Sequence, residues 1–200
     1  MFISVLDLFK IGVGPSSSHT IGPMVAANDF LEKVENYCSD ASAEHLSVRC
    51  ILKGSLAFTG KGHGTDRAVA LGLNGYKAKE LAGLDVDALV SDIWQKNSIS
   101  IGDDCFVKFV PDTDIVFDKG EALPEHPNGM IFGLFSNHEL LTETYFSIGG
   151  GFINTLDEIH HLVAPLKMKK ADCSYPFDTA NSMLDMAVDN SMSIAEIKFV

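Results

Sequence analysis

The sequence predicts an α/β chain of the α+β kind: a mixed, largely antiparallel sheet with helices, followed by the start of an all-helical domain. Three observations carry that reading. Helical spacing of apolar residues dominates up to about residue 96, interrupted by one alternating run. The period then changes to two through about residue 153, with Pro, Gly, Asn and Asp between the runs. Helical spacing returns from about residue 172.

The elements follow in order. Over residues 20–37, Ile21, Met24, Val25, Leu31 and Val34 fall mainly on one helical face. Ser18 or Thr20 can cap that helix, and Pro23 is tolerable only in a first turn. "HLSVRCILKG" alternates Leu46, Val48, Cys50 and Leu52 against polar neighbours, as a half-buried strand does. "GTDRAVALGLNG" opens on Thr65 or Asp66 as a cap and ends at Asn74-Gly75, which predicts a short helix. "DVDALVSDIWQK" is a further amphipathic helix. "CFVKFV", "DIVFDK", "GMIFGLFS" and "ETYFSIGGGFI" read as successive strands. Residues 154–171 read as a linker or a short helix stopped by Pro165, and residues 172–200 as the truncated start of a helical domain. The Met residues of that last segment read as helix core.

Two hundred residues suffice for one ordinary core and the beginning of a second. Apolar content is 46% and charged content 21%, the balance of a globular chain. Fifteen basic against 27 acidic residues give −12, which argues against nucleic acid and anionic membrane as partners. An anion site must therefore be built locally from N–H groups, hydroxyls and histidines. No apolar run approaches about 18 residues. The apolar N-terminus lacks a basic stretch and a small-residue cleavage site, so it reads as mature protein. Cys38, Cys50, Cys105 and Cys173 are scattered, which predicts reduced thiols in a cytoplasm and no complete metal site in this chain.

Four stretches hold candidate chemistry. "GVGPSSSHTIGPM", residues 12–24, sets Ser16, Ser17, Ser18, His19 and Thr20 at the mouth of a helix, where N–H groups attract an anion. "GKGHGTDR", residues 60–67, holds His63 on what reads as a tight, exposed turn shaped by Gly60, Gly62 and Gly64, with Thr65-Asp66 opening a helix. A histidine there suits proton transfer near neutral pH. Taken alone, each stretch is also that of a capped helix or a solvated loop. "EHPNGM", residues 125–130, reads as a hairpin loop around Asn128, with His126 structural. In "YFSIGGGFI", residues 145–153, Gly149, Gly150 and Gly151 leave room for a ligand or for a packed backbone. His160-His161 reads as a chance pair, since neighbours on a helix or strand point apart.

Together, "GPSSSHTIGPM", "GSLAFTGKGHGTDRAV", "HPNGM" and "YFSIGGGF" resemble the β domain of bacterial iron–sulfur-dependent L-serine dehydratase, also called L-serine ammonia-lyase, in its single-chain form. The resemblance assigns residues 1–153 to that domain, and "YPF" and "MSIAEI" to the first part of the α domain. It implies β-elimination of L-serine to pyruvate and ammonia, in amino-acid catabolism and gluconeogenesis. It implies a [4Fe–4S] cluster held by an α domain absent from these 200 residues, no pyridoxal phosphate, and a homodimer. By the same resemblance His63 is the catalytic histidine, with His19 assisting it or binding the substrate. Ser16, Ser17, Ser18 and Thr20 hold the substrate, Gly62, Gly64, Thr65 and Asp66 shape the opposite wall, and Asn128 with Gly149 and Gly150 closes the site. The fragment alone is expected to be inactive. The domain also resembles the allosteric substrate-binding domain of some phosphoglycerate dehydrogenases, so a non-catalytic module for a small acid or anion is the alternative.

Overall fold

A computed structural model describes residues 12–40, 45–102, 105–162 and 179–197. The chain divides into two compact units, Met1–His161 and Leu162–Val200. The expectations for Cys173, Pro165 and most of the linker lie outside the described residues.

In the first unit, helix α1 (Ile21–Asp40) starts where expected, with Pro23 in its first turn. Met24, Ala27, Phe30, Leu31 and Val34 recur at three- and four-residue steps, and all are buried. Strand β1 (Ser47–Leu52) buries Val48, Cys50 and Leu52 and turns Arg49 outward. Then come α2 (Ser55–His63), α3 (Thr65–Leu73), a 3₁₀ turn (Ala78–Leu81) and α4 (Val86–Lys96). The Asp85 side chain caps α4 by accepting from Ala88 N–H. Helix α3 is buried along nearly its whole length and packs on α1. A Cβ at Gly72 would lie 2.5 Å from the Met24 carbonyl oxygen, so the two backbones cross where only glycine fits.

The remaining elements are β2 (Ser98–Ile101), β3 (Cys105–Lys108), α5 (Pro111–Asp114), β4 (Ile115–Phe117), β5 (Gly129–Phe135), β6 (Glu139–Gly149), β7 (Phe152–Thr155) and α6 (Leu156–Leu162). The strands form one sheet ordered β2-β3-β1-β5-β6-β7, with β4 also on β1. Four of its six pairings are antiparallel and two, β1 with β3 and β1 with β4, are parallel. The sheet is therefore mixed and largely antiparallel, as the sequence predicts. Its helix-covered face supplies Val48, Leu52, Phe132, Leu134 and Tyr145 to one core.

Two local expectations are overturned. Residues 60–63 are not a turn but the last part of α2, and only Gly64, at φ 77°, is left-handed. Gly60 is there because its Cβ would stand 2.8 Å from Thr65 Oγ1. Nor is "EHPNGM" a hairpin loop: β4 and β5 both pair with β1 and not with each other. The stretch instead wraps the end of β1, with Lys53 N–H donating to Gly129 O and Ser55 N–H to Pro127 O.

The second unit contains α7 (Ala180–Asp189) and α8 (Ile194–Ile197). Thr179 and Ser182 cap α7 reciprocally, and Ser193 pairs with Glu196 at the start of α8. Among the described residues no helix is long and apolar enough to cross a membrane.

Candidate active site

Ser55, Thr59 and His63 stand at i, i+4 and i+8 of α2, so they share one face. The Ser16–Thr20 turn lies against that face. His19 Nε2 is 3.1 Å from Ser55 Oγ and 3.0 Å from Thr59 Oγ1. On the other side of the ring, Nδ1 is 3.0 Å from Ser18 Oγ and 3.4 Å from Ser16 Oγ. The His19 and His63 rings are 4.7 Å apart, centroid to centroid.

The turn is held from beneath. Thr20 is wholly buried, and its hydroxyl donates to Ser16 O at 2.7 Å. Thr65 is equally buried and donates to His19 O at 2.6 Å. Asp66 is buried with its carboxylate on Lys61 Nζ. Ser17 offers its carbonyl to Gly22 N–H. A Cβ at Gly14 would fall 2.5 Å from His63 O, so the loop rests on the end of α2 through a glycine.

The histidines differ in what their nitrogens meet. His63 Nδ1 is 2.8 Å from the backbone carbonyl of Thr59. A carbonyl only accepts, so Nδ1 carries the hydrogen and the neutral ring keeps its free lone pair on Nε2. That is the arrangement of a proton acceptor. His19 has protein partners on both nitrogens. Burial lowers its pKa below the ordinary 6.5 and the neighbouring His63 lowers it further, while a hydrogen bond to the Ser55 backbone acts the other way. His19 is thus a neutral, polar wall beside His63.

Of the predicted site residues, Ser16, Ser18, His19 and His63 come together directly. Thr20, Thr65 and Asp66 lie behind them. Gly62 is exposed, with open space where a Cβ would go, and Gly64 joins α2 to α3. Asn128 borders the start of α2 by way of Pro127; its own Nδ2 donates to Ser147 O. Gly149, Gly150 and Gly151 have φ of 99°, 61° and 79°, and Gly151 lies against Ile21 at the head of α1. Sequence reasoning missed Ser55, Thr59 and Gly14. The four-residue spacing in "SLAFTGKGH" is the signal that marks the first two.

Among the described residues no three of His, Cys, Asp and Glu converge as a metal site. Cys38 and Cys105 bring their sulfurs to 3.0 Å, while Cys50 is wholly buried. These residues do not fit an iron–sulfur cluster. His160 and His161 diverge: one faces Glu125, the other the Asp157 carbonyl.

Residues 4–158 match the family model described as serine dehydratase beta chain. The chain is 40% identical over 199 residues to an L-serine dehydratase of Streptomyces coelicolor, covering 98% of this chain and 43% of that protein. It is 38% identical over 196 residues to one of Helicobacter pylori strain 26695, covering 97% and 42%. It is 35% identical over 194 residues to L-serine dehydratase TdcG of Escherichia coli K12, covering 96% and 41%. The chain thus spans less than half the length of the curated relatives it matches.

Proposed function

The chain belongs to the serine dehydratase beta-chain family, and from that premise we propose that it forms one wall of an active site that deaminates L-serine to pyruvate and ammonia. The observation that carries the proposal is the His63 ring, whose Nδ1–H is tied to Thr59 O and whose Nε2 is left to accept a proton. L-serine's carboxylate sits at the Ser16–Ser18 turn, where hydroxyls and the head of α1 favour an anion. His63 Nε2 takes the α-proton, its bonding pair forms the Cα–Cβ double bond, and the β-hydroxyl leaves with the C–O pair as hydroxide, which takes up a proton to become water. The enamine tautomerises to an imine, and water releases pyruvate and ammonia. No residue of this chain is assigned to the departing hydroxyl.

His19, kept neutral, avoids a second positive charge 4.7 Å from the imidazolium formed on His63. Thr20 and Thr65 hold the turn, Gly62 and Gly64 shape the wall, Asp66 fixes Lys61 beside it, and Asn128 with Gly149 and Gly150 borders the entrance. In this reading residues 1–153 are the β domain, 154–171 the linker and 172–200 the start of an α domain. A complete α domain holds the [4Fe–4S] cluster, no pyridoxal phosphate takes part, and the assembly is a cytoplasmic homodimer. The test is steady-state turnover of L-serine by a complete enzyme carrying this domain. His63→Asn should keep the melting temperature and lower kcat about 10²–10⁴-fold. Unchanged kcat would remove His63 from the reaction.

A further inference from the structure

Thr59 touches both histidines. Its backbone carbonyl accepts from His63 Nδ1–H at 2.8 Å, and its side-chain oxygen is 3.0 Å from His19 Nε2. The same hydroxyl donates to Ser55 O at 2.9 Å, one helical turn back. A hydroxyl has one hydrogen. Having given it to Ser55 O, Thr59 Oγ1 faces His19 as an acceptor. The hydrogen between them therefore sits on His19 Nε2, and His19 Nδ1 accepts from the Ser18 hydroxyl 3.0 Å away.

We infer that Thr59 is a positioning residue that sets the two rings in opposite tautomers, Nε2–H on His19 and Nδ1–H on His63. The inference rests on the proposed role of His63, because its use is to keep one ring a neutral donor while its neighbour is a free acceptor. The division of labour is built into α2. The helix carbonyl at position 59 serves the residue four places on, which any amino acid at 59 would do. The side chain at 59 serves His19, which an aliphatic residue there does not do. Ser55 Oγ, 3.1 Å from the same Nε2, faces the ring beside it. Thr59 is solvent-exposed, so replacing its side chain should cost little packing.

The test uses the 200-residue chain without substrate, so its failure is distinguishable from failure of the serine reading. With ¹⁵N-labelled histidine at alkaline pH, both rings are neutral, and each nitrogen reports whether it bears hydrogen. His19 is expected to show a hydrogen-bearing Nε2 and a bare Nδ1, and His63 the reverse. Thr59→Val should draw the two His19 nitrogen signals together as the tautomers mix, leave His63 unchanged, and leave the melting temperature within about 2 °C. Thr59→Ser should restore the pattern. A wild-type His19 with hydrogen on Nδ1 would overturn the inference. So would a folded Thr59→Val chain with the His19 pattern intact, or a folded Thr59→Ser chain that fails to restore it.

Discussion

Replacing the three glycines of "GKGHG" by alanine, one at a time, should give three different results. Gly62 lies within α2, is exposed, and has nothing within 4 Å of a built Cβ. Alanine there removes the entropic penalty of a helical glycine and should stabilise by about 0.5–1 kcal/mol. Gly64 holds φ 77° at the junction of α2 and α3, a conformation that costs an L-residue about 1–2 kcal/mol. At Gly60 a Cβ meets Thr65 Oγ1 at 2.8 Å and Phe117 at 3.3 Å, so alanine overpacks a buried contact and should cost about 1–3 kcal/mol. For a chain of this size about 1 kcal/mol moves the melting temperature about 2–4 °C. Trp94, the one tryptophan, lies in α4 and packs against the core, so its fluorescence in urea reports the first unit. Gly62→Ala should raise the urea midpoint, and the other two should lower it, at constant m. A Gly62→Ala chain destabilised as much as Gly64→Ala would mean a turn at residues 60–63 and would refute the helix on which the site is built.

Gly14→Ala should cost about 1–3 kcal/mol and displace the serine turn, since its Cβ would meet His63 O at 2.5 Å and Thr20 Cγ2 at 2.7 Å; urea denaturation and the His19 ring signals report the two effects. The first unit should lose stability in acid. His19 and His126 both have pKa values pushed below 6.5 by burial, so below that pH the unfolded chain binds protons that the folded chain does not. The urea midpoint should therefore fall between about pH 8 and about pH 5.5, less steeply in His19→Asn or His126→Asn, and equal slopes would contradict the assignment. A chain ending at residue 162 should keep the Trp94 melting temperature within about 2 °C, because among the described residues the buried apolar side chains apart from Ala187 lie within residues 21–146.

The strands and amphipathic helices were legible because their signals are local. Val48, Cys50 and Leu52 alternate, and Asp85 stands ready to cap α4. Strand β2 carries the same kind of alternation in "SISI" but is only four residues long, close behind a helix. The glycines misled where their reason is tertiary. Gly60 makes room for Thr65, Gly72 for the Met24 carbonyl and Gly14 for the His63 carbonyl, and none of those partners is adjacent in sequence. Reading 60–63 as a turn hid the four-residue spacing of Ser55, Thr59 and His63, and with it two partners of His19. The loop at His126 reads as a hairpin in sequence because local turn chemistry cannot show that β1 separates β4 from β5. The histidines themselves were legible, since few helix ends carry hydroxyls and an imidazole together.

The most direct measurement is exchange of the α-proton of L-serine into heavy water, at saturating serine, by a complete enzyme carrying this domain. The account predicts that His63→Asn abolishes exchange along with pyruvate formation. It predicts that His19→Asn raises KM more than it slows exchange. Near-normal exchange in the His63→Asn enzyme would contradict the claim that Nε2 of His63 is the proton acceptor.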